Sequence, residues 1–178
     1  PMPAHIEGPA RLLFETLAPE MPFGNRVILS NLWLLSPLAQ RILSGSPPTD
    51  AMLRTTTAPT ILEGSVKENV LPERPRAVVN FRILPGDSIP SVLAHVTRVI
   101  GDDRVAVRAL EGFGQDPSPV SDVTGGGYKS IEKAIRQIFP TALVAPSLFL
   151  GATDSRHYQR LADGVYRFSP QRLGPDDR

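Results

Sequence analysis

Residues 151–158 read Gly-Ala-Thr-Asp-Ser-Arg-His-Tyr, so a carboxylate, a guanidinium and an imidazole stand close together just after the apolar run of residues 143–150. A glycine-marked break at the end of a strand is where an α/β sheet offers side chains to a ligand. Arg156 is the residue of most chemical interest, because its planar fork of donors suits two-point capture of a carboxylate or phosphate. Asp154 is placed to orient that fork. The plainer reading is a helix start in which Thr153 or Asp154 caps the first turn and Arg156 and His157 face water. The octapeptide alone leaves both readings open.

Metal chemistry finds little support in the spacing. The histidines are His5, His95 and His157, and none lies in an HxxxH or HExxH pattern that would put two imidazoles on one helix face. His95 reads as a structural or surface residue on its helix, and His5 as solvated. No cysteine is present, so disulfides and thiolate sites are excluded and the redox compartment stays open.

The elements that must hold these residues follow from apolar periodicity. Ile6, Ala10, Leu13, Phe14 and Leu17 predict an amphipathic helix over 6–18, ended by Pro19 and Pro22. Ser36-Pro37 reads as the start of a second helix, with Leu38 and Ile42 continuing a buried stripe to Gly45. Between them Trp33, Leu34 and Leu35 form an apolar knot assigned to the core. Residues 46–50 read as a proline-bearing loop. Residues 54–61 carry the β-branched content of a strand, which Pro59 confines to an edge or ends in a bulge.

Residues 77–84 alternate as a strand, with Val79, Phe81 and Ile83 on one, buried face and Val78, Asn80 and Arg82 on the other. Asn80 and Arg82 are read first as cross-strand pairing residues. Pro85-Gly86-Asp87-Ser88 turns the chain into a helix with a stripe of Ile89, Val92, Leu93, Val96 and Ile100, closed at Gly101. Val105, Val107 and Ala109 predict a further strand. The β, α, β order belongs to an α+β fold, a small antiparallel sheet with helices on one side. Residues 113–127, rich in Gly, Pro, Ser and Asp, read as a linker between a first domain over 1–112 and a second over 128–178. In the second, Tyr128, Ile131, Ile135 and Ile138 predict a helix with Glu132 and Arg136 paired, 143–150 a buried strand, 154–162 a helix, and 165–168 a short strand.

Two longer motifs accompany the octapeptide: Glu68-Asn69-Val70-Leu71-Pro72, and the strand and turn Val78-Val79-Asn80-Phe81-Arg82-Ile83-Leu84-Pro85-Gly86-Asp87-Ser88. Over nearly the whole chain this set resembles the zinc-dependent aminoacylase and carboxypeptidase metallopeptidases. The nearest branch is carboxypeptidase S and the secreted N-acyl-amino-acid hydrolases. Acetylornithine deacetylase and succinyl-diaminopimelate desuccinylase are more distant relatives. The resemblance implies a ferredoxin-like lid or dimerisation domain, βαββαβ with its first strand central, followed by an incomplete α/β piece of a catalytic domain.

It further implies a parent enzyme holding two zinc ions, which cleaves N-acyl amino acids or the last residue of short peptides and dimerises through the lid. The chain begins at Pro1 and is expected to be an excerpt. Met2-Pro3 matches the Met-Pro that opens the lid helix, which places the catalytic histidine of the lid upstream and every metal ligand outside this chain. No catalytic group or metal ligand is expected here, and the excerpt alone is expected to be inactive. By the same resemblance Arg156 clamps the substrate carboxylate and Asn69 donates to the same substrate end, with Asp154 beside them. His157 departs from the pattern of many relatives and is given no catalytic role. The alternative is a stand-alone ferredoxin-like binding or regulatory module without catalysis.

Composition bounds the partners. The chain has 178 residues, 41% of them hydrophobic, enough for a core, and a formal net charge of +1. That charge gives no argument for nucleic acid or an acidic membrane; a small-molecule substrate and a second subunit are the partners the resemblance implies. No uninterrupted apolar run approaches the roughly 18 to 20 residues a membrane helix needs.

Overall fold

The computed structural model describes residues 1–112, 114–151 and 153–171. Its architecture is α+β: among these residues, α1 (Gly8–Leu17), α2 (Phe23–Ser30), α3 (Leu32–Leu43) and α4 (Pro47–Leu53) come first. A two-stranded antiparallel sheet of β1 (Thr56–Glu63) and β2 (Arg76–Arg82) follows, then α5 (Ile89–Ile100) and α6 (Gly126–Ile138). Phe113, Ala152 and residues 172–178, which the sequence assigns to the linker, the octapeptide and the end of the second domain, lie outside the described residues.

The core sits in the helical part. Ile6, Ala10, Phe14 and Ala18, spaced by four, form one stripe that packs on Leu29, Leu32, Ala39 and Leu53. Pro9 sits in the first turn of α1, and Pro19 converts its end into the 3₁₀ turn Ala18–Glu20. The N-terminal segment is bolted to this cluster. The His5 N–H donates to the Leu53 carbonyl at 2.7 Å. Arg54 donates from Nη1 to the Met2 carbonyl at 3.2 Å, from Nη2 to Ser44 Oγ at 2.8 Å, and from Nε to Asp50 at 2.8 Å.

Several expectations are corrected here. α2 is not foreseen by the sequence reading. α3 starts at Leu32, not at Ser36, and Pro37 lies inside it. The apolar run 32–35 has already nucleated the helix, and the carbonyl that Pro37 leaves unbonded belongs to exposed Trp33, where water can serve it. Trp33 and Leu34 are exposed rather than core, and Leu38 and Ile42 are half-exposed rather than buried. The supposed loop 46–50 opens helix α4, which follows Ser46 and has prolines in its first turn.

In the sheet, β1 and β2 pair from Thr56↔Arg82 to Glu63↔Arg76, with the register broken between Pro59 and Ile61. That is the bulge Pro59 predicts, since proline offers no N–H to the ladder. The buried face expected on β2 is not closed: Phe81 is half-buried but Val79 is exposed. Residues 105–109, 143–150 and 165–168 are not strands but irregular chain. They have no backbone ladder with another segment among the described residues, and a strand needs one. The helix expected over 154–162 shrinks to the 3₁₀ turn Asp154–Tyr158. α5 and α6 form where their apolar stripes predict, but the last member of each stripe, Ile100 and Ile138, is exposed, and in α6 the rest is only partly covered. Ser88 and Ser91 form a reciprocal capping box at the start of α5, and Gly101 closes it with φ 60°, the left-handed conformation glycine adopts freely. In α6 Arg136 pairs with Glu132 at 3.0 Å.

Candidate functional site

An open cavity of about 1000 Å³ is bounded by the end of β2, the irregular segment 114–123, one side of α6, and segments 144–151 and 165–168. The Pro85-Gly86-Asp87-Ser88 turn fixes its β2 wall. Thr55, fully buried, donates from Oγ1 to Asp87 Oδ2 at 2.6 Å and accepts from the Leu84 N–H at 3.1 Å. One hydroxyl thus ties the start of β1 to the turn after β2, and Thr56, Phe81, Arg82 and Leu84 line the cavity beside it.

The opposite wall is held by Ser121 and Tyr166. Ser121 Oγ donates to the Val165 carbonyl at 3.0 Å and accepts from its N–H at 2.9 Å. The Tyr166 hydroxyl donates to the Asp122 carbonyl, and its ring stands 6.0 Å from that of Tyr128 at 57°. A Cβ on Gly127 would come within 2.8 Å of the Tyr166 ring, so the absence of a side chain there admits the ring against α6. Asp122 accepts from the Thr124 N–H and hydroxyl, which hold its carboxyl below the usual carboxylate range.

The charged residues lining the cavity are Arg82, Arg156, Arg167 and Asp116. Asp116 is engaged, its Oδ1 accepting from the Ile89 N–H at 2.7 Å. Arg82 donates to the Leu150 carbonyl at 3.3 Å, and Arg167 donates to Ser155 Oγ at 2.8 Å while its guanidinium lies 5.5 Å from the Phe149 ring centre. Arg156 donates from Nε to His157 Nε2 at 3.3 Å. Among the described residues its two terminal nitrogens have no protein acceptor. The walls therefore present an excess of fixed positive charge with one guanidinium fork free, which suits a carboxylate.

Of the residues singled out by sequence, the structure places Arg156 on this cavity. It does not bring the other two to it. Asn69 lies exposed in the connection between β1 and β2, and Asp154 is exposed beside Arg156 without pairing with it among the described residues. Arg82 does not make the cross-strand pair first assigned to it: its register partner is Thr56, and its guanidinium reaches the chain just before Gly151 instead. Arg167 escaped the reading altogether, since nothing local in the sequence marks it.

No group of three or more His, Cys, Asp or Glu side chains is arranged to hold a metal among the described residues. Two of the three histidines contact arginines, His95 Nδ1 with Arg98 at 3.1 Å and His157 with Arg156, surroundings that do not suit a cation. The donor set here does not make a zinc site.

Residues 22–107 match the family model described as a peptidase dimerisation domain. The chain is 41% identical over 94% of its length to the probable carboxypeptidase S-like 2 of Dictyostelium discoideum, of which it covers 32%. It is 40% identical over 99% of its length to the N-fatty-acyl-amino acid synthase/hydrolase of Bos taurus, of which it covers 36%, and 41% identical over 96% to one from Danio rerio, of which it covers 33%. The chain thus spans about a third of the length of these relatives. No solved structure matches. By these matches the chain belongs to the aminoacylase/carboxypeptidase family of peptidases.

Proposed function

We propose that this chain is the lid or dimerisation domain, residues 1–112, joined by the linker 113–127 to the first part of the returning catalytic half, residues 128–178, of a two-zinc amidohydrolase. The parent cleaves N-acyl amino acids or the C-terminal residue of short peptides, and this portion supplies substrate recognition and dimerisation without activity of its own. The metal ligands and the reacting groups then belong to other parts of the parent. The observation that carries the reading is Arg156, on the wall of a cavity bordered by β2 and with its terminal nitrogens free. Its fork grips the carboxylate of the substrate, and remote binding energy of that kind orients the scissile carbonyl for attack. Asn69 and Asp154 join this grip when the lid closes on bound substrate.

The lid in this reading is βαββαβ with its first strand, contributed by another part of the parent, between β2 and residues 105–109. The free outer edge of β2 and the unpaired β-prone run at 105–109 support it.

The test is kinetic, on the full-length parent. For Arg156→Gln, kcat/KM for an N-acyl amino acid is expected to fall roughly 10- to 150-fold, the loss of one charge-assisted contact of about 1.5–3 kcal/mol. The C-terminal amide of the same compound, lacking the carboxylate, should lose much less. An equal loss on both compounds would remove Arg156 from the carboxylate site.

A further inference from the structure

The turn that carries Arg156 is weakly held by its own residues. Asp154–Tyr158 is a single 3₁₀ turn without a side-chain cap, and the Thr153 hydroxyl, which stands where a cap would, is paired with Ser155 Oγ instead. Its opening backbone bond, from the Arg156 N–H to the Thr153 carbonyl, is long at 3.3 Å. Arg167 reaches this turn from another segment, donating from Nε to Ser155 Oγ at 2.8 Å. The guanidinium also lies 5.5 Å from the centre of the Phe149 ring, and that ring folds back over the chain because Gly151 has no side chain: a Cβ there would meet it at 2.8 Å. One side chain thus joins the run leading into the turn, the turn itself and the segment 165–168.

Arg167 is itself presented by an anchored stretch. Ser121 holds the N–H and the carbonyl of Val165, and the Tyr166 hydroxyl is bonded to the Asp122 carbonyl, so the backbone entering Arg167 is fixed before its side chain reaches out. The Nε contact of Arg156 is with its own neighbour His157 and fixes nothing beyond it, whereas that of Arg167 spans two segments. That difference assigns gripping to the first arginine and holding to the second. We propose that Arg167 is a positioning residue, which locks the turn through Ser155 so that the fork of Arg156 meets a carboxylate in one orientation. The proposal rests on the reading of Arg156 as the grip on the substrate carboxylate. A displacement of about 1 Å at such a contact costs up to about a hundredfold in rate, so the hold on the turn is felt in catalysis although Arg167 touches no reacting group.

The test compares Arg167→Met, which keeps the stem beside Phe149 and removes the donors, with Ser155→Ala, which keeps every charge and removes the acceptor. Both are made in the full-length parent, and kcat/KM is measured for an N-acyl amino acid and for its C-terminal amide. Each variant is expected to lower the acid-to-amide ratio about tenfold, the loss of one hydrogen bond to a charged group. The double variant should also stand about tenfold down and not about a hundredfold, because both changes remove the same contact. If Arg167→Met fails to fold, Ser155→Ala still decides. The proposal is overturned by additive losses in the double variant, or by an equal loss on both compounds, which a general loosening of the structure would give. A fall in Arg167→Met with none in Ser155→Ala would mean that Arg167 acts through its charge or on the carboxylate directly, and overturns it too. Arg156→Gln in the same assay separates this role from the reading beneath it. If Arg156→Gln lowers the ratio and the other two variants do not, the role of Arg167 alone falls; if it leaves the ratio unchanged, the carboxylate grip falls and this role with it.

Discussion

Thr55→Val tests whether one hydroxyl sets the shape of the β2 wall of the cavity. The side chain is fully buried, and its hydroxyl both donates to Asp87 at 2.6 Å and receives the Leu84 N–H at 3.1 Å. Valine keeps the volume and the β-branch but leaves a carboxylate and a backbone N–H without their partner. The contact with the carboxylate is charge-assisted, worth about 1.5–3 kcal/mol, and the neutral one adds about 0.5–1.5 kcal/mol, for a total of about 2–4.5 kcal/mol. For a chain of this size about 1 kcal/mol moves Tm by roughly 2–4 °C, so a fall of roughly 4–18 °C is expected by circular dichroism. Thr55→Ser is the control, since it deletes a methyl group and keeps both hydrogen bonds, at a cost of about 1 kcal/mol. If serine proves as damaging as valine, packing holds this junction and the hydroxyl argument fails.

Two further outcomes follow from the same structure. Arg54→Met keeps the aliphatic stem but removes the contacts to Met2, Ser44 and Asp50, so residues 1–5 should release from α4. Amide exchange at His5, now bonded to the Leu53 carbonyl, should quicken at least tenfold, and unchanged exchange would show that Arg54 does not hold this segment. Asp122 has its carboxyl held low by the Thr124 N–H and hydroxyl and by Lys129, so its contribution is present above the unfolded value near 3.8 and is lost as pH falls through the lower folded value. Asp122→Asn should therefore flatten the fall of stability below about pH 4, as read from urea midpoints across pH; an unchanged slope would remove Asp122 from that transition.

What the sequence made legible was local. The stripe of α1, the turn that opens α5, the Glu132–Arg136 pair of α6 and the proline bulge of β1 all depend on neighbours within a few residues, where periodicity and turn chemistry speak directly. What misled was context. Residues 105–109 and 143–150 have strand composition, yet a strand is a relation between two segments and no partner is present for them among the described residues. Pro37 carries the mark of a helix start and sits inside a helix because the four apolar residues before it nucleate earlier. Arg156 was found from its spacing to a glycine break. Arg167 was not, because its place on the same cavity depends on Ser155 and Phe149, which only the folded chain sets beside it.

Burial is distributed unevenly, and that unevenness explains how the site can work. The deeply buried residues concentrate in α1–α4 and their flanks, whereas the cavity walls come from a two-stranded sheet, irregular segments and one amphipathic helix whose apolar stripe is only half covered. A hairpin alone is marginal in water, so β1 and β2 keep their geometry through the Thr55 junction to the helical cluster rather than through their own ladder. Arg82 carries that geometry across the cavity, because it rides on β2 and bonds the carbonyl of Leu150, six residues before Arg156. Movement of the sheet relative to the Arg156 segment must break or drag that contact. A helical block that carries the buried core, a sparsely buried cavity wall and one arginine joining the two walls would let the sheet shift relative to the Arg156 segment without unfolding the core.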